Sequence, residues 1–367
     1  MSYTKYDLVF EGGGAKGSTF VGAMQAFYEK GLQPRRLIGT SAGAITATLL
    51  AAGFTPEEML AAVNEQVNGK PRFATFMDTP TANDFSATDK QSSVTIEVFQ
   101  RADIPFIPDW MQSNFDQKFV DALLKLPHYR QLFCFIECGG LFAGNKFLEW
   151  IQEKLAQKGF NADVTFATFH AKTGKDLSLV ASNTTSAEML VLNHRTAPDC
   201  PITWAVRMSM SIPFVWREVI WQKSWGAYLG RDITGHSIVD GGVLSNFPIR
   251  LVDTQPQQGS YEQRVMGDTV ANDAGTIGLL IDETLEVAGQ PKKSSSKMIG
   301  EFKTAQRILR LVNTMTDAHD NNEILTNEQL VCRLPAQGYG TTEFNMDSNR
   351  LNALIEAGHA AMRNYLK

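Results

Sequence analysis

Three short clusters hold the residue types and spacings that could do chemistry. Gly39-Thr40-Ser41-Ala42-Gly43 has the G-x-S-x-G form. In that form a serine sits on a sharp turn between a strand and a helix and presents its hydroxyl for attack. The flanking glycines have a steric purpose, because neighbouring backbones pass so close that a Cβ on either side would collide. A helix starting at Ala42 would add N–H donors and the positive end of its dipole at the same place.

The second cluster is Gly12-Gly13-Gly14-Ala15-Lys16-Gly17. Its unobstructed N–H groups could face a developing negative charge, which is the work of an oxyanion hole. Gly12, Gly14 and Gly17 also satisfy G-x-G-x-x-G, so a dinucleotide pyrophosphate at a helix N-terminus is a rival reading. A NAD site calls for an acid about twenty positions on. The chain has Gln33, Pro34, Arg35 and Arg36 there. NADP could use the two arginines, but the G-x-S-x-G turn would then have no role. A P-loop is excluded, because Gly17 follows Lys16 where that motif continues with Lys and then Ser or Thr. Lys16 either holds the loop or meets an anionic head group.

An attacking serine needs a base. Local sequence marks out none of the six histidines, His128, His170, His194, His236, His319 and His359. Asp240 is the better candidate: in Ser237-Ile238-Val239-Asp240-Gly241-Gly242 a short apolar strand ends in a carboxylate. Gly241 and Gly242 then permit close backbone approach. A carboxylate takes a serine proton directly if it lies about 2.6 to 3.2 Å away and if burial keeps it basic.

Positioning these residues requires particular elements. Residues 6–10 form an apolar run that stops at small or acidic residues, as a buried strand does before a tight turn. Residues 17–31 read as a helix with Phe20, Val21, Met24, Phe27 and Tyr28 at helical spacing, and Arg35 to Gly39 resumes a strand. This is a βαβ unit. Ala42 to Ala52 is a second helix, and Thr55-Pro56 starts a third. Further on, strands are expected at Ala162–His170 and Leu177–Ser182, as a hairpin on the sheet, and at Ile277–Ile281. A polar loop is expected near 255–275 and a solvated Lys and Ser linker at 292–297. A terminal helix capped by Asp347 or Ser348 carries a stripe of Leu351, Leu354, Ile355, Ala361, Met362 and Leu366. Residues 70–145 read as an insertion. Its segment DIPFIPDWMQSNF is a surface excursion, with a lid or lipid-facing loop as the alternative.

Composition bounds what these clusters can serve. The chain has 367 residues, 43% hydrophobic and 20% charged, with 29 Gly and 14 Pro. These values fit a folded chain of one or two domains and exclude collagenous or disordered classes. With 34 basic against 39 acidic side chains the formal charge is −5, so no broad positive field recruits nucleic acid. Cys134, Cys138, Cys200 and Cys332 lack zinc-site spacing and read as reduced core thiols. No signal peptide or membrane span is visible, which points to a cytoplasmic protein with peripheral membrane contact, or to export without a cleavable signal.

The three clusters in this order closely resemble the motifs of the patatin-like phospholipase family. The resemblance continues through Asp163-Val164-Thr165, Thr173-Gly174-Lys175, the stretch Ala205 to Pro213, and Asn246 and Pro248. Met208 and Met210 depart from it, standing where small residues are common. It implies a catalytic domain over residues 6–253 with the divergent insertion near 70–145. A C-terminal region over 254–367 would pack its closing helix on the core. The implied fold is α/β, a three-layer α/β/α sandwich around a mostly parallel sheet.

The implied chemistry is lipid acyl-ester hydrolysis by a Ser–Asp dyad without histidine. Ser41 would be nucleophile, Asp240 general base and later acid, and Gly12 to Gly17 the oxyanion loop, with Gly13 and Gly14 as donors. The resemblance implies neither metal nor cofactor. The expected partner is a phospholipid or glycolipid at a membrane surface, with an activating protein as a further candidate. Two other functions fit the residues: a soluble ester or thioester hydrolase with the same dyad, and a nucleotide-binding module using the glycine loop.

Overall fold

The computed structural model describes residues 3–91, 93–94, 117–252, 258–267, 274–290 and 324–367. Strand β1, Lys5–Phe10, runs into the glycine cluster, which forms a 3-10 turn over Gly14–Ser18 before helix α1, Thr19–Glu29. The tighter turn takes up the residues that sequence periodicity assigned to the start of the helix. Strand β2, Gln33–Thr40, then delivers Ser41 to helix α2, Ala42–Ala51. The helix Pro56–Val63 starts on a capping box: Glu58 N–H donates to Thr55 Oγ1 and Thr55 N–H to Glu58 Oε2.

The main sheet also contains β3 (Asp176–Asn183), β4 (Glu188–Leu192), β5 (Val219–Ile220), β6 (Ser237–Asp240), β7 (Gly275–Asp282) and β8 (Val331–Pro335). Its hydrogen-bonded path runs β8-β7-β1-β2-β3-β6-β5, with β2 and β6 meeting successive stretches of one edge of β3 and β4 its other edge. The pairs from β8 through β3 are parallel, and those of β4, β5 and β6 are antiparallel. The molecule is thus an α/β fold on a mixed, mostly parallel sheet.

Alternation along the strands separates two cores. Leu8, Phe10, Leu37, Leu179 and Leu279 face the larger one, with α1, α2, helix α3 (Ile202–Ser209) and the terminal helix α4 (Ser348–Tyr365). Val9, Ile38, Val180 and Leu280 face the other, where Ile249, Leu251, Val265 and Met266 cover them. A side-chain period of two on strands covered on both faces produces this division.

Several expectations change. The run Ala162–His170 is not a strand: Thr165 caps a helix over Phe166–Thr173, its Oγ1 accepting from Thr168 N–H, and Gly174 closes it at a φ of 64°. Phe166 and Phe169 are aromatic but spaced for one helix face, so packing overrides strand propensity. Consequently β3 has no hairpin partner before it; it pairs with β2, β4 and β6. The region 255–275 is not wholly loop, since Ser260 caps a helix over Tyr261–Met266. In the insertion, Gly140–Phe142 pairs in parallel with Phe214–Trp216, apart from the main sheet. The segment DIPFIPDWMQSNF and residues 292–297 lie outside the described residues.

The region after residue 253 completes the sheet itself. β7 lies beside β1 and β8 beside β7. Helix α4 crosses α1 at glycines: a Cβ on Gly22 would overlap Ile355 O, and one on Gly358 would overlap Thr19 O. The backbones approach as closely as these positions allow.

Candidate active site

Ser41 stands between β2 and α2 with φ 52° and ψ −117°, a conformation L residues rarely adopt. Strain of this kind, on the order of 1–3 kcal/mol, persists only where surroundings over-determine it. The surroundings here are glycines and one hydroxyl. A Cβ on Gly39 would overlap Gly43 O, and one on Gly43 would overlap Phe10 O. Ser209 Oγ accepts from Ser41 N–H at 2.9 Å and donates to Val180 O at 2.6 Å.

Register brings the carboxylate to the serine. One edge of β3 is shared by two strands end to end: Thr40 of β2 pairs with Val180, and Asp240 of β6 pairs with Ala181. β4 occupies the opposite edge. The residue after Thr40 therefore meets the last residue of β6, although 199 positions separate them. Ser41 Oγ donates to Asp240 Oδ2 at 2.6 Å, and Gly242 N–H donates to Asp240 Oδ1 at 2.8 Å. A Cβ on Gly241 would meet Val180 O and Thr40, so this glycine seats the turn on the strand ends.

Ser41 is 5% and Asp240 4% exposed. Burial pushes the Asp240 carboxyl up to about 7, against the smaller opposing effect of its hydrogen bonds from Ser41 and Gly242. Desolvation disfavours the carboxylate, while bonds donated to it favour that form. Near neutrality the group can both hold and release a proton.

The glycine loop lies against this pair. A Cβ on Gly12 would overlap the Asn246 side chain and come within 3.1 Å of Ser41 Cβ. Gly12 N–H donates to Asn246 O, Ala15 N–H to Thr341 O, and Lys16 N–H to Gly13 O. Among the described residues, the N–H groups of Gly13 and Gly14 have no acceptor. Gly14 has a φ of 56°, and a Cβ there would strike Thr341 O. Gly17 abuts Ala42, so the loop and the start of α2 face one another. The Lys16 amine is buried and pairs with Glu283.

Other candidates lie elsewhere. Arg35 donates twice to Asp7, at 2.8 and 2.7 Å, at the end of the sheet away from the glycine loop. Arg36 also faces this carboxylate, its Nε 3.7 Å from Asp7 Oδ2. His170 stacks on His194, His236 pairs with Asn183, and His359 with Glu29. His319 lies outside the described residues. Met208 and Met210 are buried in the larger core. All four cysteines are free thiols, with Cys138 half-buried and the others buried. Among the described residues no group of three His, Cys, Asp or Glu is gathered for a metal ion.

Sequence analysis gave no role to the posts around the site, although the resemblance took in Asn246 and the stretch that holds Ser209 and Ser211. Glu11 accepts from Ile281 N–H at 2.6 Å and from Asn246 Nδ2 at 3.1 Å, and Asn246 Nδ2 also donates to Gly12 O. Ser211 O accepts from Asp240 N–H at 2.9 Å. Glu11, Ser209 and Ser211 carry no spacing signal, because each acts on residues far away in the chain.

Residues 8–253 match the family model of patatin-like phospholipases. Over 98% of both chains the sequence is 29% identical to YqhO, an uncharacterised protein of Bacillus subtilis. It is 27% identical to triacylglycerol lipase 4 of Saccharomyces cerevisiae, over 66% of this chain and 22% of that one. Among solved structures, VipD from Legionella pneumophila aligns over 100% of this chain and 67% of its own, with a TM-score of 0.47 and 16% identity. Among the described residues no helix is long and apolar enough to cross a membrane.

Proposed function

The chain belongs to the patatin-like phospholipase family, whose members are serine lipid hydrolases, and on that premise we propose that it cleaves acyl esters of phospholipids or other glycerolipids through Ser41 and Asp240. The observation that carries this reading is the 2.6 Å hydrogen bond from Ser41 Oγ to the buried Asp240 carboxylate. Asp240 takes the hydroxyl proton as Ser41 Oγ attacks the acyl carbonyl carbon. The carbonyl oxygen gains charge where the N–H groups of Gly13 and Gly14 and the N-terminus of α2 can receive it. Asp240 returns the proton to the departing alcohol and leaves an acyl-serine. A water then gives its proton to Asp240 and attacks the acyl carbon, and the freed Ser41 recovers the proton.

The test is product release from phospholipid vesicles, triacylglycerol emulsion and a soluble short-chain ester, resolved by mass spectrometry. Wild type should release fatty acid from a lipid, and Ser41→Ala should lose about a thousandfold or more in rate. Asp240→Asn should lose roughly a hundredfold or more. Equal rates in wild type and Ser41→Ala would sink the dyad. Turnover of the soluble ester alone would favour the soluble-esterase reading.

A further inference from the structure

Arg207 is 2% exposed. Its guanidinium donates to Ser211 Oγ, to Ala143 O at 2.9 Å and to Arg217 O at 3.2 Å. Among the described residues its hydrogen bonds reach one hydroxyl, two carbonyls and the Met210 sulfur at 3.9 Å, and no carboxylate. A buried cation without a paired carboxylate is expensive to keep. Gly144, at φ 73°, leaves it room, since a Cβ there would strike the guanidinium. Ser211 Oγ donates back to Arg207 O at 2.6 Å, so the turn closing α3 is held at both ends by one side chain.

That turn touches both halves of the dyad. Ser209 Oγ receives Ser41 N–H, and Ser211 O receives Asp240 N–H. The two acceptors are two residues apart in one rigid turn, while the groups they hold come from strands far apart in the chain. We infer that Arg207–Ser211 is a bracket that sets the distance from Ser41 Oγ to Asp240, with Ser209 and Arg207 as positioning residues for the reaction. The inference rests on the dyad reading above. A fork of planar donors is needed for this, because a single ammonium cannot reach the hydroxyl and both carbonyls together.

The test is the rate at which a fluorophosphonate labels Ser41, read by intact mass from about pH 5 to about pH 9. The oxygen of Ser41 attacks phosphorus, fluoride leaves, and the hydroxyl proton passes to Asp240. Ser209→Ala removes one oxygen, and Arg207→Lys keeps the charge but loses the fork. Each should slow labelling by roughly tenfold to a hundredfold, the scale of a misplaced reacting pair. The double variant should fall little below the slower single one, because both break one unit. The rising limb of the pH profile should move to higher pH, since the Ser41 hydrogen bond lowers the Asp240 pKa and is loosened. Wild-type rates and an unmoved profile in both singles, with Ser41 labelled in wild type, would overturn the bracket and leave the dyad standing. Losses that multiply in the double variant would also overturn it. No label on wild-type Ser41 would overturn the dyad and the bracket together.

Discussion

A buried carboxylate that must be ionised to accept a proton ties activity to pH. Burial raises Asp240 to about 7, so kcat/KM should climb with pH through about 7 and level off above it. The same shift acts on stability with a definite sign. Between the ordinary value of 3.8 and about 7, the folded state keeps a proton that the unfolded state has released. Folding therefore loses stability as pH rises through that window, and the loss is complete above about 7. Asp240→Asn has no charge to bury, so near pH 8 it should resist urea better than wild type by on the order of 2–4 kcal/mol. The advantage should vanish below the ordinary carboxyl range. An Asn variant no more stable near pH 8 would show that Asp240 titrates as an ordinary carboxyl. At this scale the glycine pattern was legible in sequence, since close backbone approach demands glycine at 39, 43 and 241.

Elements are set by a contest between local preference and packing. The run Val164 to His170 is rich in residues that favour strands, yet a Thr cap and two phenylalanines on one face make it helical. The crossing of α1 and α4 is a case where magnitudes fix the sign. Gly22→Ala gains up to about 1 kcal/mol of helix propensity. The new Cβ, however, falls on Ile355 O, which is backbone and cannot rotate aside. Overpacking of this kind costs about 1–3 kcal/mol. The variant should therefore unfold at lower urea, and a raised midpoint would mean that the helices separate freely.

For the whole molecule, the family match and the folded unit have different limits. The match ends at residue 253, whereas the sheet continues through β7 and β8. β7 is the strand on the free side of β1, and Ile281 N–H and Thr341 O hold Glu11 and Ala15. A chain ending at residue 253 would leave one edge of β1 unpaired and α1 without α4. It should show no cooperative thermal transition and be cut rapidly by trypsin. A sharp transition in that fragment would mean that the C-terminal region is dispensable for folding.

The amino-acid sequence by itself determined the local chemistry: a serine on a glycine-flanked turn, a glycine loop before a helix, a carboxylate at a strand end, and the amphipathic closing helix. Each depends on sterics or periodicity within a few residues. Tertiary structure alone decided which partners meet. That β2 and β6 share one edge of β3, that the turn after α3 grips both Ser41 and Asp240, and that β7 completes the sheet beside β1 all rest on register between distant segments. Such register follows from burying two faces of one sheet at once, and no short stretch of residues encodes it.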